Sequence, residues 1–255
     1  MLSAPCFVLS DVHLGPAPAE AERSLLQLLS LARAEARSVV LNGDVFDFWF
    51  EWRHVMPRVG FRVLAALAAL REAGVEVLWI AGNHDCWGGE ILTRDVGVTY
   101  HTGPWRGVLG GWRTLIEHGD GLRDKEDAPY RRLRAVLRNP LAIRAFRWIH
   151  PDVATGIALR SSHTSRNMRP RDGGEGLKRV ALERLNAEPS LELYVFGHTH
   201  ASAAGRAGSG GVYANPGAWM DEPTFLRVAP ERLELVRLSG SGVSVIQSLE
   251  RPIRS

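Results

Sequence analysis

Five apolar runs of strand length end abruptly on Asp, His or Asn, and no other feature of this chain constrains its fold as tightly. Phe7 to Leu9 runs into Ser10-Asp11-Val12-His13, and Val39 to Leu41 into Asn42-Gly43-Asp44. Leu78 to Ala81 runs into Gly82-Asn83-His84-Asp85, Thr114 to Ile116 through Glu117 into His118-Gly119-Asp120, and Tyr194 to Phe196 into Gly197-His198-Thr199-His200. The two-residue period of an extended chain turns Asp11 and His13 to one side, and His198 and His200 likewise. Each pair is spaced to share a metal. In open α/β sheets ligands bind at the carboxyl ends of strands, so groups far apart in the chain can converge there. Taken singly, each block has an ordinary reading as a turn or a helix start; five in this order, each behind an apolar strand, exceed turn chemistry.

Helical patterns separate several of these runs. Leu25, Leu28, Leu29 and Ala32 repeat at helical spacing, as do Val63, Leu64, Leu67 and Leu70 between Pro57 and Gly74. Strand and helix alternation argues for an α/β layered fold. Between Asp120 and Ser190 the strand signal gives way to helical stretches punctuated by Asn139-Pro140, His150-Pro151 and Arg169-Pro170. The expectation is one domain over 1–255 with a helical insertion at 121–190. Short apolar alternations resume after Phe225, at Leu233 and Leu235 and then Val243 and Val245, as expected of late antiparallel strands. A hydrophobic content of 45% supplies a sizeable core and excludes a disordered chain. The uncharged run Val63 to Leu70 is too short to span a bilayer, and the start MLSAPCFVLSD lacks a secretion signal, so the expected compartment is the cytoplasm. Cys6 and Cys86 are expected to stay reduced.

Charge is uneven. Residues 131–171 carry ten arginines against one acid, Asp152, within a chain whose formal balance is only +3. Such a segment suits phosphate, nucleic acid or an anionic membrane face, although a solvated helical face is the plainer reading.

The blocks DVH, GD, GNHD, HGD and GHTH resemble the five signature blocks of the calcineurin-like metallophosphoesterases. The resemblance implies an α/β fold, a two-sheet β-sandwich flanked by helices, with two divalent metal ions at the strand ends. It places Asp11, His13 and His200 on the first metal, Asn83, His118 and His198 on the second, and Asp44 between them. His84 is the family's non-ligand histidine, expected to protonate the leaving oxygen or stabilise the phosphoryl oxygens, with Asp85 as its orienting partner. Such a mixed N/O set suits Mn, Fe, Co or Zn better than Ca or Mg, and the family points to Mn. Two dications set against two carboxylates leave a positive surplus for phosphate.

The stretch from His118 to Asn167, together with GDVFDFWFEWRHVMP, is similar to the helical cap and neighbouring loop of the bacterial UDP-2,3-diacylglucosamine diphosphatase family. That resemblance implies hydrolysis of the pyrophosphate of an acylated sugar-nucleotide, giving UMP and the acylated sugar phosphate of lipid A synthesis. The rival within the superfamily is a general nucleotide phosphatase or phosphodiesterase, nuclease-like members included. Leu133, Val136, Leu137, Leu141, Ile143, Phe146, Trp148 and Ile149 could line an acyl slot, or simply dock the cap on the body. By family position, Asn83, Tyr130, Arg160, Ser165 and Arg166 contact substrate. A peripheral contact with an anionic inner-membrane face fits the arginines; nucleic acid is not the expected partner, and no protein partner is inferred. One departure is His84 itself, where the enterobacterial branch carries Arg. The aromatic run Phe46, Phe48, Trp49, Phe50 and Trp52 reads first as core and second as a wall beside the metals. His54, His101 and His150 read as ordinary surface or core histidines, Asn215-Pro216-Gly217 as scaffold, and Cys86 as a buried thiol open to oxidation.

Overall fold

The computed structural model describes residues 1–123, 126–167, 172–220, 222–240 and 242–252, without the side chains of 129 and 161–167. Two sheets stack face to face. The first has strands β1 (Cys6–Leu9), β2 (Ser38–Asn42), β3 (Glu76–Ile80), β4 (Thr99–His101), β10 (Thr224–Val228), β11 (Arg232–Ser239) and β12 (Gly242–Glu250), in the order β12-β11-β10-β1-β2-β3-β4. The second holds β5 (Trp105–Leu109), β6 (Trp112–Ile116), β7 (Leu193–Val195), β8 (Ala203–Arg206) and β9 (Val212–Asn215), in the order β5-β6-β7-β9-β8. β1 to β4 run parallel, as do β6, β7 and β9. The expected late strands pair antiparallel as β10, β11 and β12.

Strand alternation builds the layers. Val8, Val40, Leu78 and Ile80 face the second sheet and pack with Ile116, Leu193, Val195 and Ala214. Their neighbours Phe7, Leu9, Val39, Leu41, Val77 and Trp79 point the other way, onto α1 (Ala19–Glu35) and α2 (Phe61–Glu72). The strands buried on both faces therefore read as unbroken apolar runs. In α1 the buried stripe is Leu25, Leu28, Leu29 and Ala32, and each fully buried leucine contributes roughly 1.5–3 kcal/mol of transfer free energy. Leu115, Tyr194 and Phe196 on the outer face of the second sheet receive Leu177, Ala181 and Leu185 of α6 (Glu175–Ala187). Two sheets between two helical layers agree with the expected sandwich.

Within 121–190, α6 packs on the second sheet, while α3 (Ala128–Leu137), α4 (Pro140–Phe146) and α5 (Pro151–Asn167) make up the rest of the helical stretch expected as a cap. Periodicity alone could not separate them, because both groups are amphipathic helices. Asn139 starts α4: its side-chain oxygen accepts from Leu141 N at 2.8 Å, and Pro140 takes the first helical position. The cap sits on a separate apolar cluster of Phe48, Phe50, Trp52 and Ala154, joined by Trp87, Ile143, Phe146 and Ala158. The aromatic run divides: Phe46 and Trp49 enter the main core, and Phe48, Phe50 and Trp52 face the cap.

Candidate metal centre

The five polar blocks meet at one edge of the sandwich, where β1, β2, β3, β6 and β7 end. Three groups of ligand atoms, each within 4.8 Å of one another, form there: Asp11, His13 and His200; His13, Asp44 and His84; and Asp44, His118 and His198. His13 Nε2 lies 3.1 Å from His200 Nε2 and 3.9 Å from Asp44 Oδ2, and His118 Nε2 lies 3.1 Å from that same Asp44 oxygen. Asp11 Oδ1 is 3.4 Å from His200 Nε2 and 4.0 Å from both His13 Nε2 and His118 Nε2. Asp44 therefore stands between the two outer groups.

The backbone is forced to deliver these side chains. Among the described residues, the non-glycine positions with positive φ are Asp11, His13, Asp44, His198 and His200, from 52° to 65°. L-residues pay for the left-handed region, on the order of 1–2 kcal/mol each, and persist there only when their surroundings hold them. Asp11 shows such holding: its carboxylate accepts from His198 N at 3.0 Å, its amide donates to Gly43 O at 3.0 Å, and its carbonyl accepts from Trp219 N at 3.1 Å. Gly43, at φ 81°, lies where a Cβ would fall on the His118 ring and 2.8 Å from Gly82 Cα.

Electrostatics suit a cation. Burial raises the Asp11 carboxyl, yet the His200 hydrogen bond and the His118 charge bring it down to about 2. Burial opposes the charge on Asp44 too, and His118 and His84 overcome it, holding the carboxyl well below the ordinary range. His198 is lowered to about 4 by burial and by the His118 charge, which leaves the neutral, ligating imidazole at neutral pH. Asn83 Oδ1 is buried without a hydrogen-bond partner among the described residues. A buried polar atom of this kind requires an explanation, and a divalent cation entering in place of the proton that, against burial, Asp44 and Asp11 hold on His118 supplies one.

Asp85, expected to orient His84, directs its carboxylate to the backbone and to Trp79. Its carboxylate accepts from Val45 N at 2.9 Å, Gly82 N at 2.8 Å and Trp79 Nε1 at 3.2 Å, tying the second block to the third. The His84 ring is instead fixed by Asp47, whose carbonyl accepts from Nδ1 at 2.9 Å and whose Oδ1 lies 3.9 Å from that nitrogen. Asp47 Oδ1 is also 3.3 Å from His13 Nδ1. Asp47 has no role in the sequence patterns; it is one of two acids, with Glu51, inside the aromatic run. Asp120 closes the HGD block and has no ligand role in the resemblance. Its carboxylate accepts from Tyr130 Oη at 2.8 Å and lies 3.4 Å from Arg134 Nη1 and 3.6 Å from Arg138 Nη2, latching α3 to the site.

A cavity of about 360 Å³ opens between cap and body. Asp47, Asn83, His84 and Tyr130 form its polar end, and Phe48, Phe50, Trp87, Leu133, Val136, Leu137, Ile143 and Phe146 are among its apolar walls. Leu141, Trp148 and Ile149 do not line it: they are exposed, Trp148 to 88%. Leu141 lies on the outer face of α4, and Trp148 and Ile149 lie beyond its end. Arg160 is exposed on α5 and does not line the cavity, and the side chains of Ser165 and Arg166 lie outside the described residues. Cys6 and Cys86 are free thiols, and burial pushes both up to about 12, which leaves Cys86 a poor target for oxidation.

The fold and the gathered donor set define a metal-dependent hydrolase of the α/β-sandwich type. Residues 4–202 match the family described as Calcineurin-like phosphoesterase, and the chain belongs to that family. It is 33% identical over 215 residues to a UDP-2,3-diacylglucosamine hydrolase of Porphyromonas gingivalis, covering 76% of this chain and 82% of that protein. A UDP-2,3-diacylglucosamine hydrolase of Proteus mirabilis is 28% identical over 239 residues, covering 90% of this chain and 97% of its own. Among solved structures, Vps29 of Chaetomium thermophilum superposes with a TM-score of 0.50 at 12% identity over 98% of this chain and 96% of that one, a likeness of fold alone. Among the described residues, no helix is long and apolar enough to cross a membrane.

Proposed function

We propose that this chain hydrolyses the pyrophosphate of UDP-2,3-diacylglucosamine, releasing UMP and 2,3-diacylglucosamine 1-phosphate. The observation that carries the reading is the cavity in which Asn83, His84 and Asp47 open directly into an aromatic and aliphatic slot under the cap. A pyrophosphate at the polar end would leave acyl chains to the apolar walls, in keeping with the relatives named UDP-2,3-diacylglucosamine hydrolase. In this reading Asp11, His13 and His200 hold one divalent cation, Asn83, His118 and His198 a second, and Asp44 is shared; manganese is the proposed occupant. Bound there, two cations supply charge that neutralises phosphoryl oxygens and activates water.

The chain's own residues supply orientation and a proton. His84 Nδ1 donates to the Asp47 carbonyl, so that nitrogen keeps its hydrogen. A proton given to the leaving oxygen must therefore come from Nε2 of a doubly protonated ring, whose charge Asp47 Oδ1, 3.9 Å from Nδ1, stabilises. Tyr130, bonded to Asp120, closes the polar end of the slot. The outer cap face exposes Leu141 and Trp148 beside the exposed Arg144 and Arg147, a pattern that suits peripheral contact with an anionic bilayer.

Turnover of the acylated sugar-nucleotide, its deacylated counterpart and a simple phosphodiester, each with and without Mn²⁺, tests the reading. Metal-dependent UMP release confined to the acylated substrate is expected. Equal turnover of all three would instead favour a general phosphodiesterase.

A further inference from the structure

The turn after β9 reads as plain scaffold in the sequence, yet the structure gives it contacts to both ends of the ligand array. Asn215 is fully buried. Its side-chain nitrogen donates to Gly197 O at 3.2 Å and to Thr199 Oγ1 at 2.9 Å, and its oxygen accepts from Gly217 N at 2.8 Å. The two donor bonds bracket His198 and straddle a segment in which His198 and His200 hold φ values of 65° and 63°. Gly217 O in turn accepts from Ser10 Oγ at 3.3 Å, beside Asp11. One amide thus braces a turn that, left alone, would relax out of the left-handed region and turn its imidazoles away.

We propose that Asn215 is a positioning residue for the cation site, acting through the His198-Thr199-His200 turn. The inference rests on the reading above that these histidines hold a divalent cation. Because the brace is a donor, Asn215→Asp should fail as Asn215→Ala does, although it keeps the oxygen that accepts from Gly217.

The test is Mn²⁺ titration of the full chain by calorimetry, with elemental analysis of uptake. Asn215→Ala and Asn215→Asp are expected to weaken Mn²⁺ binding about 10- to 100-fold, the usual range for a lost outer-shell partner. Thr199→Val, which removes one of the two donor bonds and disturbs packing least, should weaken it about fivefold. A core variant, Leu235→Ala, serves as the stability control and should stay within about threefold of the parent. Parental affinity in Asn215→Ala and Thr199→Val, or an equal loss in Leu235→Ala, overturns the proposal while leaving the cation site standing. A parent that takes up no Mn²⁺ overturns both.

Discussion

Replacing Gly43 by alanine separates two costs that the structure assigns to one residue. At φ 81° the substitution forces an L-residue into the left-handed region, a penalty of about 1–2 kcal/mol. The new methyl also meets the His118 ring and lies 2.8 Å from Gly82 Cα. His118 cannot step aside freely, because its Nδ1 donates to Asn42 O at 2.8 Å and the ring is buried. Overpacking of this kind adds about 1–3 kcal/mol, so Gly43→Ala should cost about 2–5 kcal/mol in all. Gly74, at φ 83° with nothing within 4 Å of its would-be Cβ, isolates the conformational part, and Gly74→Ala should cost only the first 1–2 kcal/mol. Urea unfolding of both variants in the presence of chelator measures the difference without metal linkage. Manganese titration should then show weakened binding in Gly43→Ala and parental binding in Gly74→Ala. Equal losses for the two substitutions would refute the close-approach argument.

His84→Ala should keep manganese by elemental analysis and lose about 10²- to 10⁴-fold in kcat, while Asp44→Ala should lose metal as well. Asp47→Ala, which removes the carboxylate beside His13 Nδ1 and His84 Nδ1 but keeps the carbonyl that accepts from His84, should lower turnover about 10- to 100-fold with the fold retained by circular dichroism. Trp148→Glu should reduce sedimentation with phosphatidylglycerol vesicles and leave turnover of a detergent-dispersed substrate unchanged. Burial raises the Asp127 carboxyl, but the Arg123 side-chain and backbone hydrogen bonds prevail and hold it below the ordinary range. That depressed value stabilises the fold above the unfolded carboxylate pKa of about 3.9 and the contribution fades as pH falls through the folded value. Asp127→Asn should therefore cost stability at neutral pH, and the gap to the parent in urea unfolding should close on acidification.

The sequence by itself determined the strands that carry the polar blocks, the layered class and the candidate donors. It could do so because a strand buried on both faces must be apolar throughout, so a polar block at its end stands out. Asp11, His13, Asp44, Asn83, His118, His198 and His200 stood out as candidate donors for that reason, as did the amphipathic stripe of α1. Only the tertiary structure decided what those blocks touch. Asp85 and Asp47 are both acids beside the same histidine block, and nothing in their spacing tells which carboxylate braces strands and which faces the His84 ring. The same holds for the cap: α3 to α5 and α6 share helical periodicity, and the partner surface, not the pattern, makes one a lid and the other a wall. Local sequence sets which face is apolar, whereas the assignment of partners comes from contacts between residues far apart in the chain, where backbone strain at five positive-φ positions is held by hydrogen bonds no local window contains.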